Sequence, residues 1–228
     1  MNSEIVRHSY SEFLGTFALV FVGSAAIMTA SSTSSGSILD IAVAHGLVLS
    51  IMCTAFMPIA AHFNPAVTIG FLFTRRIKPS MALVHIVAQV VGAVIAALAL
   101  KALFPAPVFA LTHGGGQQIN PDVSGVHAWV LEMIATFFFM TAIYGTAVDK
   151  RTPNIGGFGI GLAIAFDILM IGPLTGASMN PARTFGPMVA HGSYEAFVIY
   201  LTAPIVGAVL AALAYEHLIL KTGPGAST

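Results

Sequence analysis

The 228-residue sequence is 57% hydrophobic and only 8% charged, and its nine Lys and Arg balance nine Asp and Glu. Soluble domains carry about 25% charged residues, so this composition excludes an ordinary soluble enzyme, a basic nucleic-acid-binding protein and a disordered chain. The mean hydropathy of +0.89 indicates a membrane protein with several spans. Cys53 is the single cysteine, so an intrachain disulfide and a cysteine metal cluster are both excluded.

Six apolar runs are long enough to cross a bilayer as helices, which needs about 20 residues each. They cover residues 10–29, 40–58, 79–103, 127–148, 156–174 and 194–220. The strands of a membrane barrel would need only about ten alternating residues, so span length favours an all-α protein. Polar segments at 31–37 and 149–154 separate spans. We therefore expect one membrane domain over residues 1–228.

Two further apolar stretches, residues 62–73 and 178–190, are too short to span a membrane. Both contain Asn-Pro, at Asn64 and Asn180. Asparagine is a good helix cap and proline suits the first helical position, so each motif predicts the start of a short helix. A short helix at membrane depth has to be buried in protein or line water. Both stretches are therefore expected to be re-entrant half-helices.

The sequence contains an internal repeat. Residues 12–17 resemble residues 132–137 at an offset of 120, and residues 62–70 resemble residues 178–186 at an offset of 116. The two pseudo-repeats cover about residues 8–103 and 126–220, and each holds three spans and one short helix. Because three is odd, the second repeat enters the membrane in the opposite sense, which predicts a functional site at the midplane.

The cations predict the orientation. Seven of the nine fall on one side if both termini share that side: Arg7, Arg75, Arg76, Lys78, Lys150, Arg151 and Lys221. Lys101 falls at the opposite end of the third span, and Arg183 lies within the second short helix. The positive-inside rule then puts both termini in the cytoplasm, and we expect the cell (inner) membrane.

Two half-helices that enter from opposite faces bring two positive dipole ends together near the midplane. These ends repel cations and protons, while the side-chain amides of Asn64 and Asn180 donate hydrogen bonds into the lumen. A water held by both amides has its protons pointing away, which interrupts a proton wire. This arrangement favours the passage of a neutral hydrogen-bonding solute.

At these residues the chain resembles the aquaporin (major intrinsic protein) family over about residues 8–218. The motif residues are Asn64, Pro65, Ala66, Asn180, Pro181, Ala182 and the following Arg183, together with Glu12 and Glu132. The resemblance implies a six-helix bundle with an inverted 3+3 repeat, one pore per subunit and a homotetramer. It implies no enzymatic activity, cofactor, bound metal or nucleic-acid partner.

The resemblance also implies the pore residues. The selectivity filter would consist of His45, Ile168, Ala177 and Arg183. His113 would belong to an outer filter, His62 would line the cytoplasmic half, and Glu12 and Glu132 would accept hydrogen bonds from the loops before the half-helices. Typical water-selective members have an aromatic residue in span two and a histidine in span five. The pattern here instead resembles the plant tonoplast subgroup, several members of which are linked to ammonia as well as water.

Water is the expected solute, and ammonia stays open as a second: His45 is expected to offer it a ring nitrogen opposite the aliphatic Ile168. The alternative within the family is a glycerol-type facilitator, but Thr184 here replaces the Asp that follows the arginine in that branch, and Ala177 supplies no aromatic residue. A coupled transporter would need titratable midplane residues. An intramembrane enzyme is disfavoured because the sequence lacks Gly-x-Ser-x-Gly and His-Glu-x-x-His.

Asp167 is the remaining unusual residue, because it is a carboxylate inside the fifth span. Acids within spans are costly and need partners. We expect Asp167 to pair with a polar group of a neighbouring helix or to face the subunit boundary, and a role in the pore is left open.

Overall fold

Long apolar runs with few turn residues give the chain its six spanning helices. A computed structural model describes residues 3–33, 35–153 and 155–220; Ser34, Asn154 and Lys221, which belong to the predicted linkers and to the cation count, lie outside the described residues. Within those ranges the long helices are α1 (Ser3–Ser32), α2 (Ile38–Phe56), α4 (Pro79–Leu103), α6 (Gly125–Ile143), α7 (Gly156–Thr175) and α9 (Phe197–Ala214). Single π-helical turns, Tyr144–Val148 and Tyr215–Leu220, extend α6 and α9.

These six helices are long and apolar enough to cross a membrane, and the described residues contain no strand. The predicted all-α, six-span architecture is therefore confirmed. The predicted start of the first span at residue 10 is not the start of the helix, because α1 begins at Ser3. Hydropathy locates the part of a helix that lies in lipid, whereas residues 3–9 continue the same helix with mostly polar side chains.

Each Asn-Pro motif begins a short helix, as predicted. These helices are α3 (Pro65–Phe73) and α8 (Pro181–His191), with Asn64 and Asn180 at their N-caps. The loop between α4 and α6 contains a further short helix, α5 (Ala106–Leu111), and a 3₁₀ turn at His113–Gly115. Proline at the start of α5 and two left-handed glycines, Gly114 and Gly115, set the limits of that segment.

The two halves pack in the same way around small residues. A Cβ on Gly92 of α4 would lie 2.5 Å from the carbonyl oxygen of Phe13 in α1. A Cβ on Gly207 of α9 would lie 2.2 Å from the carbonyl oxygen of Met133 in α6. Phe13 and Met133 are 120 residues apart and the two glycines 115 apart, so α1 with α4 and α6 with α9 form equivalent helix crossings. Close backbone contact of this kind is the usual way in which helices associate in lipid.

Ion pairs gather the basic turns at one end of the bundle. Arg76, just after α3, pairs with Glu216 at the end of the last helix, with Nε to Oε2 at 2.8 Å. Arg151, between α6 and α7, pairs with Asp149 at 2.7 Å and donates to the carbonyl of Ile219 at 3.1 Å. The Arg151 hydrogen bond holds the pKa of Asp149 below its usual range. Two basic turns and the C-terminal end of the last helix therefore meet on one side.

Candidate pore site

Asn64 and Asn180 cap the two half-helices and also connect them. The Oδ1 of Asn64 accepts from the Ala66 N–H at 2.8 Å, and the Oδ1 of Asn180 accepts from the Ala182 N–H at 3.0 Å. Each side-chain Nδ2 donates across the centre: from Asn64 to the Met179 carbonyl at 2.7 Å, and from Asn180 to the Phe63 carbonyl at 2.9 Å. The half-helix N-termini are thus joined by a reciprocal pair of hydrogen bonds.

Backbone conformation makes these cross-bonds possible. Phe63 and Met179, the residues just before the asparagines, both have a φ of 49° and are fully buried. This left-handed region costs a non-glycine residue about 1–3 kcal/mol, and here it turns the two carbonyls toward the opposite half. An amide nitrogen has two protons, and one of them is used in the cross-bond. Each asparagine therefore keeps one N–H for the predicted lumen, whereas the sequence alone left both available.

Two buried carboxylates hold the loops before the half-helices. Glu12 of α1 accepts from the backbone N–H of His62 at 2.8 Å and of Phe63 at 2.7 Å. Glu132 of α6 accepts from the backbone N–H of Ser178 and Met179, both at 2.9 Å. Both glutamates are fully buried, so these hydrogen bonds satisfy loop donors that have no partner in a helix ladder.

Arg183, in the first turn of α8, meets two of the other three predicted filter residues directly. Its Nε and Nη2 lie 3.1 and 2.8 Å from Nε2 of His45, and its Nη1 donates to the Ala177 carbonyl at 3.0 Å. The Nδ1 of His45 lies 2.8 Å from the carbonyl of Ile41. Because a carbonyl only accepts, Nδ1 carries the proton and Nε2 accepts from the arginine.

Both ring nitrogens of His45 are therefore engaged by the protein. The expectation that His45 offers a ring nitrogen to a passing solute is wrong for this structure, because Arg183 occupies it. His45 instead orients the guanidinium of Arg183. Ile168 is 1% exposed and Ala177 is fully buried. Among the four predicted filter residues, Ile168 carries the one large apolar side chain.

Gln117 contacts Arg183, and this contact was not predicted from the sequence. Its amide lies 2.7 Å from the hydroxyl of Thr184. With the amide nitrogen facing Thr184, the oxygen accepts from both Nη1 and Nη2 of Arg183, the latter at 3.2 Å. Gln117 and His45 thus hold the guanidinium from two sides. The sequence contained little indication of this contact. Gln117 stands beside Gln118 in a polar loop, and two neighbouring glutamines in such a loop are typical of solvent-exposed residues.

Gly23 is a second missed contributor. A Cβ at this position of α1 would lie 2.3 Å from Nε2 of His45. The absence of a side chain at Gly23 therefore leaves the space that the imidazole occupies next to Arg183.

His113 and Asp167 differ from their predicted surroundings. His113 stacks on His191, with ring centroids 4.5 Å apart, and the loop residue that contacts Arg183 is Gln117. Asp167 is fully buried within the single chain, so it does not face a subunit boundary. Neither of its oxygens has a hydrogen-bond partner among the described residues, so the expected pairing with a neighbouring helix is also wrong. The carboxylate lies inside the bundle beside Ile168, where only a proton or water could satisfy it.

His62 lies at the loop before α3, partly exposed, with its Nδ1 3.1 Å from the Thr68 hydroxyl. It is close to His85 of α4 and to Glu12. Among the described residues, Glu12, His62 and His85 form one group of potential metal ligands, with ligand atoms within 4.8 Å of one another.

Comparison with known proteins identifies the same architecture. The family model described as major intrinsic protein matches residues 1–215. The chain is 39% identical to the glycerol uptake facilitator protein-like 6 of Lactiplantibacillus plantarum, over 91% of this chain and 95% of that protein. It is 35% identical to the probable aquaporin TIP-type alpha of Phaseolus vulgaris, over 96% of this chain and 88% of that protein. The X-ray structure of the aquaglyceroporin from Plasmodium falciparum superposes with a TM-score of 0.78 and 26% identity, over 94% of this chain and 97% of that one.

Proposed function

The chain belongs to the major intrinsic protein family, the aquaporins, and we propose that it is a passive channel for water that excludes ions and protons. Channels of this family reside in membranes as multi-pass proteins, and the six apolar helices agree with that class.

The observation that carries the proposal is the reciprocal bonding of Asn64 and Asn180. Their cross-bonds hold two positive helix ends against each other, and we infer that the second N–H of each amide donates to a solute. A water in this position accepts from both amides and cannot also donate toward either, so a proton cannot be relayed through it. Neutral amides at this point argue against a coupled transporter, which needs a titratable group there.

Arg183 supports the exclusion of cations. Its charge is held in place by the acceptors of His45, Ala177 and Gln117, so a fixed positive charge lies in the filter. We expect Arg183→Val to admit larger neutral solutes such as glycerol and to weaken proton exclusion. Stopped-flow light scattering of proteoliposomes measures the first effect, and an internal pH dye measures the second. An unchanged solute cutoff would place the constriction elsewhere.

Ammonia is a second proposed solute. Ile168 makes one wall of the ring apolar, and Arg183 on the other wall is rich in donors. Ammonia is a better acceptor than water and a poorer donor, so it loses less than water does at an aliphatic wall. We expect ammonia or methylamine flux to exceed that of an Ile168→His variant, measured as the change of internal pH under an ammonium gradient. Wild-type flux equal to that of empty liposomes would leave water as the sole solute of the two.

Glycerol is the competing solute, because one similar protein is named a glycerol uptake facilitator and another an aquaglyceroporin. The filter residues favour water: Thr184 follows the arginine, and no Phe, Tyr or Trp stands among His45, Ile168 and Ala177. Comparing water, glycerol and methylamine in one proteoliposome preparation separates the possibilities. Flux that saturates or depends on a proton gradient would instead indicate coupled transport.

The assembly and orientation are further proposals. The resemblance favours a homotetramer with one pore per chain, a state that crosslinking in native membranes can count. The basic turns gathered around Arg76 and Arg151 favour a cytoplasmic position for that end of the bundle and for both termini. We propose the cell membrane as its location, which a fluorescent fusion with membrane fractionation tests.

A further inference from the structure

Four polar side chains form a line that starts in the first turns of α1 and ends behind the first half-helix. His8 Nδ1 lies 2.9 Å from His85 Nε2. On the other side of the same ring, His85 Nδ1 lies 3.3 Å from His62 Nδ1 and 3.5 Å from Glu12 Oε1. His85 is 2% exposed and Glu12 is fully buried. The family resemblance gives roles to His62 and Glu12, whereas His8 and His85 have no role in the proposed pore.

Two of the three separations among the inner ligand atoms match those of a tetrahedral metal site. Bonds of about 2.0–2.1 Å from zinc to imidazole nitrogen or carboxylate oxygen put neighbouring ligands about 3.3–3.5 Å apart. The two separations measured from His85 Nδ1, 3.3 and 3.5 Å, already have this value. The third pair lies within 4.8 Å, so a rotation of the His62 ring that gives up the contact of its Nδ1 with the Thr68 hydroxyl would complete the face.

The surroundings fix these ligands as an outer coordination shell does. Metal-bound imidazoles usually donate their other ring N–H to an acceptor, and this fixes the tautomer. With Nδ1 of His85 on a metal, its Nε2–H would donate to His8 Nδ1 at the observed 2.9 Å. Gln89 Nε2 and the Phe63 N–H bind Oε2 of Glu12 at 2.8 and 2.7 Å. These bonds leave Oε1 with a single backbone donor, from His62.

The second half of the chain shows that the fold does not require these histidines. Its equivalent carboxylate, Glu132, performs the same loop-holding task with Ser178 in place of His62. The 115-residue offset between Gly92 and Gly207 puts Tyr200 at the position of His85, and the Tyr200 hydroxyl donates to the Thr175 carbonyl. Imidazoles therefore surround one of two structurally equivalent glutamates, and loop support alone does not explain them.

We propose that Glu12, His62 and His85 bind one divalent transition-metal ion of the zinc class. Two imidazoles and a carboxylate are ligands suited to such ions, and the carboxylate partly balances the charge of the ion. His62 is partly exposed, so the fourth position is open to water from the cytoplasmic half. An ion at this point, against the wall that His62 forms, lowers water flux; this second part rests on the proposed channel function.

The binding test uses the full chain in detergent micelles, without metal carried over from purification. Co²⁺ serves as the probe, because tetrahedral Co²⁺ with nitrogen ligands has a strong visible absorption, and Zn²⁺ is then added as competitor. We expect one ion to bind per chain. The affinity for Co²⁺ should fall by more than 100-fold in His85→Ala. It should fall by about 10–100-fold in His8→Ala, because His8 accepts a hydrogen bond from the ligand His85. His127→Ala is the matched control, because His127 is an exposed histidine on α6.

Folding is checked separately by thermal unfolding of each variant without metal, and His85→Gln, which keeps a polar side chain, serves if His85→Ala unfolds early. Equal Co²⁺ affinity in wild type and in both His85 variants, or no tetrahedral spectrum in wild type, would overturn the site. In proteoliposomes, Zn²⁺ should lower water flux in wild type and not in His85→Ala. A wild type that binds Co²⁺ but keeps its full flux would overturn the placement at the pore wall. Absence of water flux without metal would contradict the channel proposal, while the Co²⁺ spectrum would still test the metal site.

Discussion

The cross-bonds between the half-helices give the sharpest quantitative test. Asn64→Ala removes two interactions at once: the cap bond to the Ala66 N–H and the Nδ2 bond to the Met179 carbonyl. Loss of a helix cap costs about 0.5–2 kcal/mol, and a buried carbonyl left without its donor costs about 1–3 kcal/mol. Asn64→Ser keeps an oxygen that caps the helix, but its side chain is too short to reach Met179. We therefore expect Asn64→Ala to lose about 1.5–5 kcal/mol of unfolding free energy and Asn64→Ser only about 1–3 kcal/mol.

The same comparison at Asn180 supplies a matched control, because its Nδ2 bonds the Phe63 carbonyl next to Asn64. Neighbouring interactions of this kind couple, so the double Asn64→Ser, Asn180→Ser variant should differ from the sum of its single variants by more than 0.5 kcal/mol, a threshold at the low end of known couplings. Equilibrium unfolding in mixed micelles measures the stabilities, and an internal pH dye in proteoliposomes measures proton leak. If Asn64→Ser matches wild type in both, pore water replaces the amide at Met179 and the cross-bonds do not hold the halves together.

Three further predictions concern other parts of the bundle. Gly207→Ala places a Cβ 2.2 Å from a backbone oxygen of α6 and should destabilise by about 1–3 kcal/mol, whereas Gly125→Ala, whose nearest atom is 3.5 Å away, should be neutral in the same unfolding assay. Asp167→Ala removes a buried carboxylate that has no partner among the described residues and should raise thermal stability; lower stability with reduced water flux would show that the carboxylate binds pore water. The lowered pKa of Asp149 means that its pair with Arg151 stabilises the fold at neutral pH and is lost as pH falls below the unfolded value of about 3.9. The stability difference between wild type and Asp149→Asn should therefore shrink between pH 7 and pH 3, and a constant difference would contradict that origin.

Local signals predicted the elements of this protein well. Proline and the apolar run that follows it give α4 the bounds Pro79–Leu103 that the sequence predicted, and the two Asn-Pro motifs begin both half-helices. The start of the last helix was less well predicted: it begins at Phe197 rather than near residue 194, because Ala196 takes a left-handed φ of 55°. Hydropathy contains no information on such a turn.

The filter was harder to predict, because its contacts join distant parts of the chain. Residue types and the family resemblance bring His45 and Arg183 into one ring, but the hydrogen bond between them depends on which tautomer Ile41 selects. The contact of Gln117 with Arg183 depends on the path of a loop rich in glycine. The carboxylate of Asp167 could be noticed in the sequence, but that it has no partner in the described part of the chain is visible only when all the surrounding helices are in place.

The reciprocal asparagine bonds also have a consequence for biogenesis. When the ribosome has made only the first half, Glu12 and Gln89 can already secure the loop at Phe63, since all three belong to that half. The Phe63 carbonyl and the Asn64 amide, however, have to wait for partners that are translated about 115 residues later. A chain of which only the first half has been made therefore has an unpaired carbonyl and an unpaired amide at membrane depth, which water or the translocon has to solvate. Met179 and Asn180 supply the missing partners, so the two half-helices can be joined only after the second one has been made, shortly before α9 follows.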